Sequence, residues 1–273
     1  MRTVTGGEAE IPALGLGTWA LRGAEARDMV ARALAEGWRH VDTARMYGNE
    51  AEVGAAIRAA AVPRADVFLT TKIWPDDHAP GRLRAAAEDS LRTLGVDAVD
   101  LMLLHWPSRT VPFAETIPAL DALRRDGLAR HVGVSNFTRA QLAEVGGIMD
   151  SPLAANQVEF HPFLDQSRML ADLADRGAAL TAYAPLAKGR VAEDPTLRRI
   201  AEARGTAPGA VALAWILAKG AAAVPKTATP ARLAENLAAA ELTLTPEEIA
   251  EIDGLARPDG RLVDLEGVAP DWD

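Results

Sequence analysis

The 273-residue chain has no cysteine, which excludes disulfides and thiol chemistry and fits a reducing compartment. No run approaches the roughly 18 apolar residues of a membrane span. The first residues, MRTVTGGEAE, lack the apolar core of a secretory signal. A cytoplasmic protein that does not enter membranes is the expectation. Positive charge is in deficit: 29 basic against 38 acidic residues leave a net charge of -9. That argues against a general nucleic-acid binder, although a local basic pocket for a phosphate is still allowed. Lysine is scarcer still, with only Lys72, Lys188, Lys219 and Lys226, and there are two tyrosines, Tyr47 and Tyr183. In a chain this rich in arginine, a lysine can mark a position that needs a compact charge of tunable pKa. Lys188 and Lys219 read as surface placements.

What the chain does have is alternation. Short apolar or β-branched runs at 13–16, 40–42, 67–72, 99–105, 131–135, 154–160, 179–183 and 221–225 read as strands. Between and after them lie helical patterns at 24–37, 50–60, 80–95, 113–127, 139–149, 165–177, 195–204 and 208–219. Thr229-Pro230 reads as the N-cap and first residue of another helix, and Thr245-Pro246-Glu247-Glu248 as a capping box for one more. The tail after Arg257 has no period. No linker or low-complexity segment divides the chain. Eight βα units at this length predict one (β/α)8 TIM-barrel domain over 1–273, with extra helices late in the chain. A doubly wound sheet would want a glycine-rich phosphate loop after its first strand, and Gly15-Leu16-Gly17 lacks the third glycine. Residues 1–10, with Gly6-Gly7, predict a short hairpin closing the bottom of the barrel.

In such a barrel, chemistry sits at the C-terminal strand ends. Read in order, those ends carry Asp42 with Tyr47, Lys72, His105, Ser135-Asn136, Asn156-Gln157, Tyr183 and Pro225-Lys226. The first four make a mechanism. A tyrosine is a poor acid at neutral pH. Lys72 can stabilise the phenolate and lower the pKa of Tyr47, while Asp42 holds Lys72 as an ion pair. His105 can donate to the same substrate oxygen. This set suits a carbonyl whose oxygen gathers negative charge and then takes a proton, a step in which general acid catalysis is worth roughly 10²–10⁴-fold. With no thiol and no metal cluster, a bound hydride donor is the natural partner for the carbonyl carbon.

The segments HVDTARMYGNE, TTKIWPDDH, DLMLLHWP, VGVSNF, NQVEFHPFL, AYAPL and VPKTATPARLAEN occur in that order. In this combination the chain resembles the aldo-keto reductases over essentially its whole length, most of all the bacterial 2,5-diketo-D-gluconate reductase-like members. The resemblance implies a TIM barrel that binds NADPH without a Rossmann motif. It implies Asp42, Tyr47, Lys72 and His105 as the catalytic tetrad, with Tyr47 the proton donor. It implies Ser135, Asn136 and Gln157 around the nicotinamide carboxamide and Tyr183 stacked on the ring. Lys226, Thr227 and Arg232 fall around the adenosine 2′-phosphate, Glu235 and Asn236 at the adenine, and Trp19, Trp74 and Trp106 on the walls of the substrate pocket. Ala184 stands where the family often has serine, and Thr227 replaces a common serine. The short tail implies an open pocket. The expected partner is a small carbonyl compound, a keto-sugar such as 2,5-diketo-D-gluconate among the candidates, and a monomer is expected.

Other residues have plainer readings. Alone, Asp42 and Lys72 would be a structural ion pair. His40 reads as packed and satisfied, His161 as a loop scaffold, and His78 and His131 as surface residues. Asp42, His105 and His161 lack the short spacing of a metal site. Trp38, Trp215 and Trp272 have no argued role, and Asn49-Glu50 read as no more than a helix start. Two further functions remain open: a non-catalytic NADP(H)-binding protein, and a Schiff-base lyase working through Lys72. The lyase leaves Tyr183, Lys226 and Arg232 unexplained.

Overall fold

A computed structural model describes residues 2–273. It opens with an antiparallel hairpin, β1 (Thr3–Gly6) and β2 (Ala9–Pro12). The parallel strands follow: β3 (Leu16–Gly17), β4 (His40–Asp42), β5 (Phe68–Ile73), β6 (Val99–Leu104), β7 (Ala129–Ser135), β8 (Leu153–Glu159), β9 (Ala179–Tyr183) and β10 (Ala222–Ala223). Each pairs with its successor, so the sheet runs from β3 to β10 in chain order, each step a crossover through helix. Its two edges then meet. Leu14 bridges Ala223 and Gly17 bridges Lys226, with the Gly15 N–H on the Ala223 carbonyl and the Gly17 N–H on that of Pro225. The closed sheet is the expected (β/α)8 barrel. Its first and last strands are the shortest because the closing seam is made of single bridges.

The helices are α1 (Gly23–Ala35), α2 (Glu50–Ala59), α3 (Pro80–Leu94), α4 (Phe113–Arg125), α5 (Arg139–Gly146), α6 (Ser167–Asp175), α7 (Pro195–Arg204), α8 (Pro208–Ala218), α9 (Ala231–Ala238) and α10 (Pro246–Asp253). Local chemistry explains most boundaries. Pro80 opens α3, and Leu83, Ala87, Leu91 and Leu94 form its buried stripe. The predicted capping box of α10 is present, Thr245 and Glu248 satisfying each other's backbone N–H groups. The predicted cap of α9 is not. That helix begins after Pro230, no side chain caps it, and the nearby hydroxyl that accepts a backbone bond is that of Thr227, from the Thr229 N–H.

Along β6 the side chains alternate between two cores. Leu101 and Leu103 join the barrel interior, whereas Met102 and Leu104 join the layer under the helices. Full burial of each such leucine is worth about 1.5–3 kcal/mol. The hairpin closes the lower end, as the sequence suggests: Ala9 and Ile11 pack with Leu101, Ala154, Ala179 and Ala222. The lower end is therefore apolar and plugged, which leaves the opposite end for chemistry. No helix among the described residues is long and apolar enough to cross a membrane.

Candidate active site

Asp42 is the last residue of β4, and Tyr47 ends the 3-10 turn Arg45–Tyr47 just beyond it. The chain reverses at Gly48, whose φ of 63° is the left-handed conformation that glycine adopts without a Cβ penalty. Arg45 fixes the turn from outside, donating to Asp77 at 2.8 Å and Asp89 at 3.0 Å. Asn49 fixes it from inside. Its Nδ2 donates to the carbonyls of Thr18 and Leu21, and its Oδ1 accepts from Thr43 Oγ1. Glu50 accepts from Thr71 Oγ1 at 2.6 Å. Asn49 and Glu50 therefore do more than start a helix: they tie the tyrosine turn to three strands.

Phe68, Thr70 and Lys72 share one face of β5, and that alternation points Lys72 into the barrel. It is fully buried, and Nζ uses all three hydrogens: Asp42 Oδ1 at 2.6 Å, the Thr43 carbonyl at 2.9 Å and Tyr47 Oη at 3.3 Å. Asp42 Oδ2 accepts from Gln157 Nε2 at 2.7 Å. The His105 ring lies 5.6 Å from that of Tyr47, centroid to centroid, edge to face. The four residues expected to act together are thus brought together. Burial alone would depress the Lys72 pKa, but the charges and hydrogen bonds of Asp42 and Tyr47 together outweigh it and hold the ammonium above its ordinary value.

The expected lowering of the Tyr47 pKa is not found. Removal of the phenol from water raises its pKa above 10.0, and the charge and hydrogen bond of Lys72 offset only part of that rise. At neutral pH the phenol keeps its proton, as a general acid must. His105 is held well below 6.5, first by burial and then by the Lys72 charge and His78, so its ring is neutral. Its Nδ1 is buried without a partner. Trp74 packs edge-on to His105 at 5.2 Å and Trp19 to Tyr47 at 5.0 Å. Trp106 is buried and meets Trp272 at 6.1 Å.

A second network lines the next strand ends. Ser135 Oγ donates to the Gln157 carbonyl, Asn136 Nδ2 to the His105 carbonyl and to Ser135 Oγ, and Tyr183 Oη to Asn136 Oδ1 at 2.8 Å. Asn136 takes a φ of 64°, which asparagine tolerates better than most residues. Burial, and then the nearby Glu159, keep the Tyr183 phenol well above 10.0 and so neutral.

Beyond β10, Lys226 and Arg232 are exposed, and neither forms an ion pair among the described residues. Arg45, Arg84, Arg199 and Arg204 carry carboxylate partners, whereas Arg125, Arg168 and Arg190 are exposed without one among the described residues, so it is the neighbourhood of Thr227 and Asn236 that sets these two cations apart. Thr227 is buried beside them, Glu235 is exposed, and Asn236 is buried with Nδ2 unpartnered. Two unpaired cations and an orphaned amide are what a bound phosphate and purine would satisfy, so this arc fits an adenine nucleotide.

Among the histidines, His40 is packed and satisfied, between the Pro12 carbonyl and Thr70 Oγ1, and His161 braces a loop through Glu159 and the Phe163 N–H. His131 is half-buried. His78, expected at the surface, is fully buried. The 3-10 turn Pro75–Asp77 tucks it under the strand end, with Nε2 3.1 Å from the Ile73 carbonyl. Among the described residues no group of three or more acidic or histidine side chains is arranged for a metal ion. Trp272 and Glu159 also stand at this end of the barrel, and the sequence reading gave neither a role. A signal existed for Glu159, which lies two residues after Gln157 and so shares its face of β8.

A parallel barrel with a buried Asp–Lys pair bonded to a half-buried tyrosine, and a neutral histidine at its mouth, defines a class, and comparison with known proteins gives the same one. The model of the Aldo/keto reductase family matches residues 13–257, and the chain belongs to that family. It is 38% identical to Methylglyoxal reductase DkgB of Escherichia coli O157:H7, over 96% of this chain and 99% of that one. It is also 38% identical to Aldo/keto reductase slr0942 of Synechocystis, over 91% and 86%. A crystal structure described as a candidate 2,5-diketo-D-gluconic acid reductase B superposes with a TM-score of 0.98 at 48% identity, covering 100% of this chain and 98% of that chain.

Proposed function

We propose that the protein is an NADPH-dependent reductase of small aldehydes and ketones. One observation carries this reading: Lys72 Nζ touches both Asp42 and Tyr47 Oη, with the neutral His105 ring across from the phenol. Tyr47 Oη and the N–H of His105 hold the carbonyl oxygen. As negative charge builds on that oxygen, Tyr47 gives up its proton, and Lys72, already charged and hydrogen-bonded to Oη, stabilises the phenolate left behind. Asp42, fixed by Gln157, keeps Lys72 in place. Preorganised donors of this kind need no rearrangement as the charge appears. NADPH, when bound, supplies the hydride. Ser135, Asn136 and Gln157 would orient its carboxamide, and the Tyr183 ring would bear on the nicotinamide. Lys226, Thr227 and Arg232 would meet the 2′-phosphate, with Glu235 and Asn236 at the adenine. Trp19, Trp74 and Trp106 would wall the substrate pocket.

The names of the relatives point to small, oxygen-rich carbonyls such as methylglyoxal and 2,5-diketo-D-gluconate as substrates. The reaction is proposed for a cytoplasmic monomer. The state of Lys72 counts against a Schiff-base lyase: an amine with three hydrogen bonds and a raised pKa is not a nucleophile. The test is NADPH oxidation across aldehydes, diketones and keto-sugars, with NADH in parallel. Turnover of at least one class, with NADPH preferred, is expected. Borohydride trapping of substrate on Lys72 without NADPH oxidation would reverse the assignment.

A further inference from the structure

Glu159 ends β8, is fully buried, and takes no part in the chemistry above. Its Oε1 accepts the backbone N–H of Leu262 at 2.7 Å and lies 2.9 Å from His161 Nε2, and its Oε2 accepts the N–H of Val263 at 2.9 Å. Arg261 Nη1 approaches Oε2 at 3.9 Å. Leu262 and Val263 belong to the tail after α10, which forms neither helix nor strand. A segment without a ladder of its own must find partners elsewhere for its backbone groups, and here one buried side chain supplies two of them. Each carboxyl oxygen receives a backbone N–H, so the position requires an acceptor at both. An amide would turn its own NH2 against one of those donors.

The other tail contacts work in the same direction. Gly260 lies against the Phe163 carbonyl, where a Cβ would come within 1.8 Å of the oxygen. Lys188 Nζ donates to the Leu262 carbonyl at 2.9 Å, and Arg109 donates to that of Ala269. The Asp273 carboxyl receives the N–H groups of Arg139 and Ala140 at the start of α5. Held this way, the tail lays the Arg261 guanidinium 3.6 Å from the Trp272 ring centroid and sets Trp272 edge-on to Trp106, the neighbour of His105.

We propose that Glu159 is a positioning residue that latches the tail across the barrel mouth, so that Arg261 and Trp272 form a fixed wall limiting the site to small carbonyls. The substrate consequence rests on the reductase reading above, whereas the latch itself does not. The test uses Glu159→Gln and, from the tail side, Gly260→Ala. Trypsin can cut after Arg261, while Arg257 is protected by Pro258. The latch predicts that Glu159→Gln releases the Leu262–Asp273 peptide about tenfold faster than the unaltered protein. It also predicts that the ratio of kcat/KM for 2-naphthaldehyde to that for methylglyoxal rises about tenfold. A purely structural defect would lower both activities together and leave the ratio unchanged. If Glu159→Gln does not fold, Gly260→Ala must show both changes. Peptide release at the unaltered rate overturns the proposal, and so does an unchanged ratio in a variant that turns over both aldehydes. If the unaltered protein oxidises no NADPH, the reductase reading fails, and peptide release alone decides the latch.

Discussion

The barrel mouth has two unlike halves. The corner built by β4, β5 and β6 is buried, and its charged and amide side chains are matched: Lys72 makes three hydrogen bonds, Asp42 is held by Lys72 and Gln157, and Asn49 ties Thr18, Leu21 and Thr43 together; the Nδ1 atoms of His105 and His78 are its exceptions. The arc from Lys226 to Asn236 is the opposite, with exposed cations lacking carboxylate partners and a buried amide whose nitrogen lacks a partner. The closed corner is set for chemistry before anything binds. The open arc is completed only by a ligand. Substitutions in the first should therefore damage both fold and turnover, whereas substitutions in the second should damage affinity alone.

The largest effect is expected where a buried pair is broken. Lys72→Met leaves the Asp42 carboxylate buried without its cation and should destabilise the fold by about 3–5 kcal/mol. In the double variant Asp42→Asn with Lys72→Met, much of that loss should return, because neither charge is then left alone. Urea unfolding of the single and double variants measures both quantities. A single variant as stable as the unaltered protein would dissolve the contrast between the two halves.

Next comes acid. In the unfolded chain His78 binds a proton near pH 6.5, but in the folded protein burial delays this until about 4. Between those values the unfolded state holds one more proton, so the stabilisation is fully present above pH 6.5 and is lost as pH falls toward 4. At about 1.4 kcal/mol per pKa unit, His78 alone accounts for about 3 kcal/mol. His40 and His105, also lowered by burial, act in the same direction. Between pH 7.5 and pH 5 only about 1.5 units of that window are crossed, so urea unfolding should show a loss of about 2 kcal/mol from His78, and equal midpoints would mean that the histidines beside the closed corner are not held neutral.

The smallest effect belongs to the open arc. Lys226→Ala or Arg232→Ala should raise the KM for NADPH by about 10–100-fold, as expected for loss of one charge-assisted phosphate contact at about 1.5–3 kcal/mol. kcat, and the KM for NADH, should hardly move. Equal losses with both cofactors would show that the arc does not read the 2′-phosphate.

Much of this architecture was legible in the chain itself. The alternation of short strand-like runs with helical patterns, the scarcity of lysine and tyrosine, and the polar residues at successive strand ends were enough for the barrel and for the four-residue cluster. Features that depend on distant packing were not legible. His78 follows two aspartates in a loop and looks exposed until a 3-10 turn folds it under Ile73. The Tyr47 pKa turns on burial, which a nearby lysine in the sequence does not report. The tail has no period, and its anchor, Glu159, lies about a hundred residues away from Leu262 and Val263. Thr229 has the chemistry of a cap, but the loop around Thr227 leaves it unused.

The proton donor is the centre of the account, and Tyr47→Phe tests it most directly, because the ring that packs on Trp19 and His105 is kept while the acidic oxygen is lost. NADPH binding, followed by quenching of protein fluorescence, and NADPH oxidation with a small aldehyde should be measured on the same sample. A dissociation constant within about twofold of the unaltered protein and a loss in kcat of about 10²–10⁴-fold are expected. Undiminished turnover by Tyr47→Phe would contradict it.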